Sequence, residues 1–253
     1  MRDNGAVRSP ADDSATQNRA QLVIFDLDGT LTDSAAGVVA SFRHALAAIG
    51  AEPPPGDLAA RVVGPPLAQT MVTLGLGDRA EEAVAAYRAD YTSRGWAMNA
   101  LYDGIADLLE DLRAAGTRLA VATSKSEPAA RRILDHFGIG GHFEVIAGAD
   151  GDRTAKADVL AHALSQLGPL PQTVLMVGDR IHDVEGAALH GIDTIVVEWG
   201  YGASDFAEET DPAPAASVAT VEDVRLMKEN APKCKVKAAG GIKTAQQAIA
   251  MLE

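Results

Sequence analysis

The chain has 253 residues, enough for one sizeable domain with an insertion or for two modest domains, and either can bury a real core. Its formal charge of −13 argues against a nucleic-acid binder, which needs a basic face for phosphate, and its single cysteine, Cys234, rules out an internal disulfide and offers no zinc site. The longest apolar runs, LVIF at 22–25 and TIVV at 194–197, fall far short of the roughly 20 residues a bilayer requires, so the expectation is no membrane and a reducing cytoplasm.

Residues 1–19 are rich in Asp, Ser, Asn and Arg and lack the apolar stretch of a signal peptide, so they read as a disordered leader. The first apolar run, 21–26, ends in VIFDLDGTLTD (23–33), which sets Asp26 and Asp28 two residues apart. An extended strand points i and i+2 to one side, so the two carboxylates meet where the strand stops. Such a pair repels unless a cation lies nearby or the pair is tuned for acid and base work. Further unalternating apolar runs follow at 118–123, 143–147, 173–178 and 193–197, and this is how buried parallel strands read. Helical periodicity separates them at 104–115, 127–137, 156–167 and 183–190, with Gly116, Gly168 and Gly191 as stops. The alternation predicts an α/β fold with a Rossmann-like, doubly wound parallel sheet. Between the first strand and the helix at 104 lie about 70 residues of helical periodicity, too many for a βα connection, so an inserted small all-helical domain is expected.

Ligands of a doubly wound sheet collect at the carboxyl ends of its strands. The polar residues there are Asp26 and Asp28, Thr123 and Ser124, and Asp179 with Asp183, while Lys156 opens the helix before the fourth strand. Taken alone, Thr123 and Asp183 also read as helix caps and Lys156 as a solvated surface charge, although Lys156 is one of only two lysines in residues 1–224.

In this order FDLDGTLTD, VATSK, the lone lysine before a helix and VGDRIHD resemble the four motifs of the haloacid dehalogenase-like hydrolases, over residues 21–224. GPPL (64–67), GDRIHDVEGA and WGYG (199–202) resemble the branch that holds phosphoglycolate phosphatases and 5'-nucleotidases. The resemblance implies a core over 20–34 and 100–224 with a helical cap over 35–99 that closes on the site and favours small substrates. It implies Asp26 as nucleophile of an aspartyl-phosphate intermediate and Asp28 as acid and base, a second carboxylate that phosphatases of the family keep and dehalogenases lack. Mg²⁺ is expected on Asp26, the backbone carbonyl of Asp28, Asp179 and Asp183, since carboxylates suit a hard ion. Thr123, Ser124 and Lys156 are expected to hold the phosphoryl group. Arg43 and His44 either face a substrate anion or belong to an ordinary exposed helix face.

The expected activity is therefore Mg²⁺-dependent hydrolysis of small phosphorylated metabolites. The alternative is a protein-tyrosine phosphotransferase, phosphatase or kinase, on the same fold, with a protein partner recruited by the leader; a non-catalytic binding module ranks below both. Residues 225–253 change character: they carry five Lys and one Arg against two acids, whereas residues 1–224 carry 16 basic and 33 acidic residues. VKAAGGIKT in this stretch resembles a fragment of deoxyribose-phosphate aldolases, without the strand that bears their Schiff-base lysine, so aldolase activity is not expected.

Overall fold

The computed structural model describes residues 20–65, 67–207 and 210–218; the expected leader and the basic tail lie outside them. In chain order the strands are β1 (Leu22–Phe25), β2 (Thr32–Asp33), β3 (Ala100–Leu101), β4 (Arg118–Ser126), β5 (Val145–Ala149), β6 (Val174–Gly178), β7 (Asp193–Val197) and β8 (Ala216–Val218). The α-helices are α1 (Ala35–Ala48), α2 (Leu58–Val62), α3 (Leu67–Thr73), α4 (Ala80–Ser93), α5 (Ile105–Ala114), α6 (Glu127–His136), α7 (Lys156–Gln166) and α8 (Ile181–Ala188).

Six strands form one sheet in the order β5-β4-β1-β6-β7-β8, with every pairing parallel. The apolar runs are unalternating because both faces are covered. Val23 and Phe25 of β1, with Leu119 and Val121 of β4, pack under Leu108, Leu109 and Leu112 of α5 and Ile133 and Leu134 of α6. Leu22, Ile24, Ala120 and Ala122, one residue out of phase, pack under Val159, Leu160 and Ala163 of α7 and Ala187 of α8. Period 2 thus fixes which helix each side chain meets, and it also fixes the side on which Asp26 and Asp28 fall, since both continue the phase of Leu22 and Ile24.

Helices α1 to α4 enclose a separate apolar cluster that includes Phe42, Leu46, Val62, Met71, Tyr87 and Tyr91. The chain leaves the sheet for this layer at β2 and returns at β3, and the two strands pair antiparallel, Thr32 with Leu101 and Asp33 with Ala100. Neither short strand is expected from the sequence, nor is β8, which adds three residues beside β7 and has too short an apolar pattern to read as a strand. β4 runs to Ser126 rather than ending at Thr123, and its register breaks between those two residues.

Candidate active site

The carboxyl ends of β1, β4 and β6 and the start of α7 meet at one point. Asp26, Asp28, Asp179 and Asp183 are all buried there, Asp179 completely. Four acids in so little space require compensation, and two lysines supply it. Nζ of Lys156 lies 2.6 Å from Oδ1 of Asp26 and 2.6 Å from Oδ1 of Asp183, and it donates to the carbonyl of Ala122 at 2.9 Å. Nζ of Lys125 lies 3.1 Å from Oδ2 of Asp28. Burial disfavours both ammonium charges, yet the facing carboxylates outweigh it and hold both lysines above their ordinary pKa: Asp183 and Asp26 for Lys156, Asp28 for Lys125.

The compensation is incomplete. Burial pushes the Asp26 carboxyl up to about 7 against the pull of Lys156, with Asp183 and Asp28 adding to the push. Burial likewise holds Asp179 well above the usual carboxylate range, reinforced by Asp183 and Asp26. Oδ1 of Asp179 and Oδ1 of Asp28 are buried without a hydrogen-bond partner among the described residues. One carboxylate oxygen from each of Asp26, Asp179 and Asp183 lies within 4.8 Å of the others. An all-oxygen donor set with surplus negative charge and an orphaned oxygen is compatible with a hard divalent cation.

Local backbone explains the placement. Asp183 is the third residue of α8, and its Oδ2 accepts the N–H of Arg180 at 3.0 Å, so one carboxylate both caps the helix and pairs with Lys156. Oδ2 of Asp179 accepts the N–H of Tyr201 at 2.7 Å. Gly29 bends the chain after Asp28 with φ of 91°, and a Cβ there would run into the Asp179 carboxylate. Gly29→Ala is therefore expected to lower stability by about 1–2 kcal/mol from the left-handed backbone alone. It also displaces Asp179, so activity should fall further than the stability loss explains; urea denaturation and steady-state turnover measured together test this.

Thr123 is buried in β4 where its register breaks, and its Oγ1 accepts the N–H of Lys125 at 3.2 Å, which leaves the hydroxyl hydrogen free to donate. It does not cap α6, whose N-cap is Ser126. Ser124 is half-buried beside it. Arg43 is not brought to this point: it lies exposed on α1 and forms no hydrogen bond or ion pair to the cluster among the described residues. His44, also exposed, stands 3.9 Å from Asp90 of α4. Two residues at the site have no role in the sequence reading, although they lie in stretches it quotes, Lys125 in VATSK and Tyr201 in WGYG. Lys125, the other lysine of residues 1–224, was visible as a rarity, whereas no local pattern marks Tyr201 as the residue that meets Asp179.

The sequence pattern of the family described as haloacid dehalogenase-like hydrolase matches residues 23–197. The chain belongs to that family. Proteins similar to it include the one named tyrosine-protein kinase PtkA of Mycobacterium tuberculosis, 66% identical over 207 residues, which span 81% of this chain and 71% of PtkA. A solved structure of PtkA superposes with a TM-score of 0.76 at 65% identity, covering 83% of this chain and 98% of that one. A 5'-nucleotidase of Pseudomonas aeruginosa is 42% identical, over 72% of this chain and 85% of its own length. Like its relatives in this family the chain is an enzyme, and among its described residues no helix is long and apolar enough to cross a membrane.

Proposed function

We propose that this hydrolase cleaves small phosphomonoesters through an aspartyl-phosphate on Asp26, with Mg²⁺ held by Asp26, Asp179, Asp183 and the carbonyl of Asp28. The observation that supports it best is the division of labour among the carboxylates. Oδ1 of Asp26 is engaged by Lys156, so Oδ2 is the oxygen left to attack phosphorus. As that bond forms, the bond to the ester oxygen breaks, and Asp28, a carboxylate paired with Lys125 in the free site, relays to the leaving oxygen the proton that the ester monoanion brings. Asp28, again a carboxylate, takes a proton from water as the water attacks the acyl phosphate; phosphate leaves and Asp26 is regenerated. Lys156 and the Thr123 hydroxyl are placed for the equatorial phosphoryl oxygens. The metal, when bound, neutralises charge on those oxygens and on the carboxylates.

A cavity of about 290 Å³ lies beside Arg180, lined also by Arg61, Gln69, Thr70 and Thr73 of the helical layer. Its size suits a small leaving group, with Pro65 and Leu74 giving apolar wall beside these polar side chains, and the layer over 35–99 acts as the cap that closes on it. Release of inorganic phosphate from phosphoglycolate, nucleoside monophosphates and phosphotyrosine, with Mg²⁺ and with chelator, tests the reading. Turnover in chelator, or none on any ester, sinks it.

The raised pKa of Asp26 and Asp179 adds a pH dependence. Asp26 holds a proton below pH of about 7, and Asp179 holds one to a pH well above the usual carboxylate range; the cation must displace both, so Mg²⁺ affinity weakens as pH falls. Once both carboxylates are ionised, affinity levels off. Calorimetry should show a change of up to about tenfold per pH unit for each proton released, together with a heat that varies with the buffer's ionisation enthalpy.

The 66% identity to PtkA favours one second reading, transfer of phosphoryl groups to or from tyrosyl side chains. The same Asp26 would carry the group, and a tyrosine-bearing protein would replace water or the small ester. ATP-dependent labelling of such a protein that disappears in Asp26→Asn, with no release of phosphate from small esters, would favour this reading over the first.

A further inference from the structure

We propose that Lys125 is a positioning residue for Asp28, and that the helical layer completes its hold through Tyr91. The inference rests on the reading of Asp28 as the proton donor. Lys125 leaves β4 within the stretch where the register with β5 breaks, and such an irregularity turns a side chain out of the regular strand alternation. Its ammonium then has two anchors from different layers. One is Oδ2 of Asp28, at 3.1 Å, in the sheet layer. The other is Tyr91 of α4: Nζ donates to the hydroxyl at 2.8 Å and stands 4.4 Å from the ring centroid. Tyr91 is itself fixed, stacked on Tyr87 with centroids 5.5 Å apart and planes 8° from parallel, while Tyr87 meets Phe42 edge-on.

The arrangement singles out one oxygen. With Oδ2 held, the buried Oδ1 of Asp28 is the oxygen without a partner among the described residues, and an acid that must reach a leaving group needs such an oxygen in one place. Lysine is a flexible point charge with three donors, so a single carboxylate contact would not pin it. The contacts to Tyr91 do, and they exist only while the helical layer sits on the sheet layer. Further bonds tie the same layers: Nη1 of Arg180 donates to the carbonyl of Val63 at 3.2 Å, and Nη1 of Arg132 donates to that of Thr92 at 3.0 Å. Tyr91 thereby links closure to proton delivery. An ester that enters an open site meets Asp28 loosely held, and one enclosed by the layer meets it aligned.

The leaving group exposes this role. An alkyl phosphate needs a proton on its departing oxygen, whereas p-nitrophenyl phosphate leaves as a stable phenolate and depends little on the acid. Steady-state kcat and KM are measured on glycerol 2-phosphate and p-nitrophenyl phosphate for the wild type, Lys125→Met, Lys125→Arg and Tyr91→Phe, each checked for cooperative thermal unfolding. For Lys125→Met, kcat on the alkyl ester should fall about 100-fold and on the aryl ester no more than about threefold. Tyr91→Phe keeps the ring stack and should lose about tenfold on the alkyl ester alone, and Lys125→Arg should regain part of the Met loss. Equal losses on both esters, or a rise in KM with kcat intact, overturn the inference while leaving the hydrolase reading in place. Should the wild type be inert on both, phosphoglycolate and phosphotyrosine replace them as the alkyl and aryl esters, and a wild type inert on all of these overturns both the inference and the hydrolase reading. Should Lys125→Met fail to fold, Tyr91→Phe decides by the same ratio.

Discussion

Asp26→Asn is expected to abolish turnover, by about 10⁴-fold or more in kcat, with the fold retained. The amide keeps the size and the oxygen of the side chain but cannot attack phosphorus, and removal of a group that forms the covalent intermediate costs on this scale. The site should tolerate the change because burial, with Asp183 and Asp28 adding to it, pushes the Asp26 carboxyl up to about 7, so a neutral amide avoids the cost of a buried charge and relieves that repulsion. The amide oxygen also retains an acceptor for Lys156, 2.6 Å from Oδ1 in the native chain. Rapid quench with radiolabelled ester should trap acid-stable phosphoprotein in the wild type and none in the variant. Turnover within about tenfold of the wild type would remove Asp26 as nucleophile.

Lys156→Met should have the largest effect on stability. Its ammonium bridges Asp26 and Asp183, both buried, and satisfies the carbonyl of Ala122. Removing one partner from a buried ionic group leaves uncompensated charge, which typically costs about 3–5 kcal/mol, whereas the pair as a whole contributes far less. Urea denaturation in chelator should therefore show a fall of that order in unfolding free energy. Part of it should return in Lys156→Met with Asp183→Asn, because the second change removes one of the stranded charges while its amide oxygen still accepts the N–H of Arg180. Activity should not return, since the phosphoryl oxygens have still lost their fixed cation; a fall in kcat of about 10²–10³-fold is expected in both. A lysine whose removal leaves stability and kcat near wild type would be a surface charge, which its burial contradicts.

How much of the site could be read along the chain differs from residue to residue. Asp26 and Asp28 are two residues apart, and strand geometry alone puts them on one side. Asp179 and Thr123 stand where apolar runs stop, so a parallel sheet places them at one edge once the alternation of strand and helix is seen. Lys156 was distinguished by rarity rather than by pattern. Asp183 was open between cap and ligand because both roles use the same position in the first turn of a helix; the structure shows it capping α8 and pairing with Lys156 together. Arg43 had no such anchor. Its neighbours Phe42, Ala45 and Leu46 are buried, and the helical period then turns Arg43 outward.

The sequence by itself determined the parallel α/β core, because its strands are unalternating apolar runs whose pattern is local, and it determined which strand ends carry acids. Only the tertiary structure decided the partners. Lys125 meets Tyr91 across 34 residues of chain, and the Tyr201 hydroxyl accepts the N–H of Ser34 across 167 and donates to Asp33 at 2.5 Å. β8 and the β2–β3 pair are likewise products of what lies beside them, being two or three residues long. A charged or aromatic side chain carries no periodic signal that says which distant element it will face. That is settled when the apolar faces of sheet and helices are buried together and the polar groups at their rims must find one another or remain unpaired.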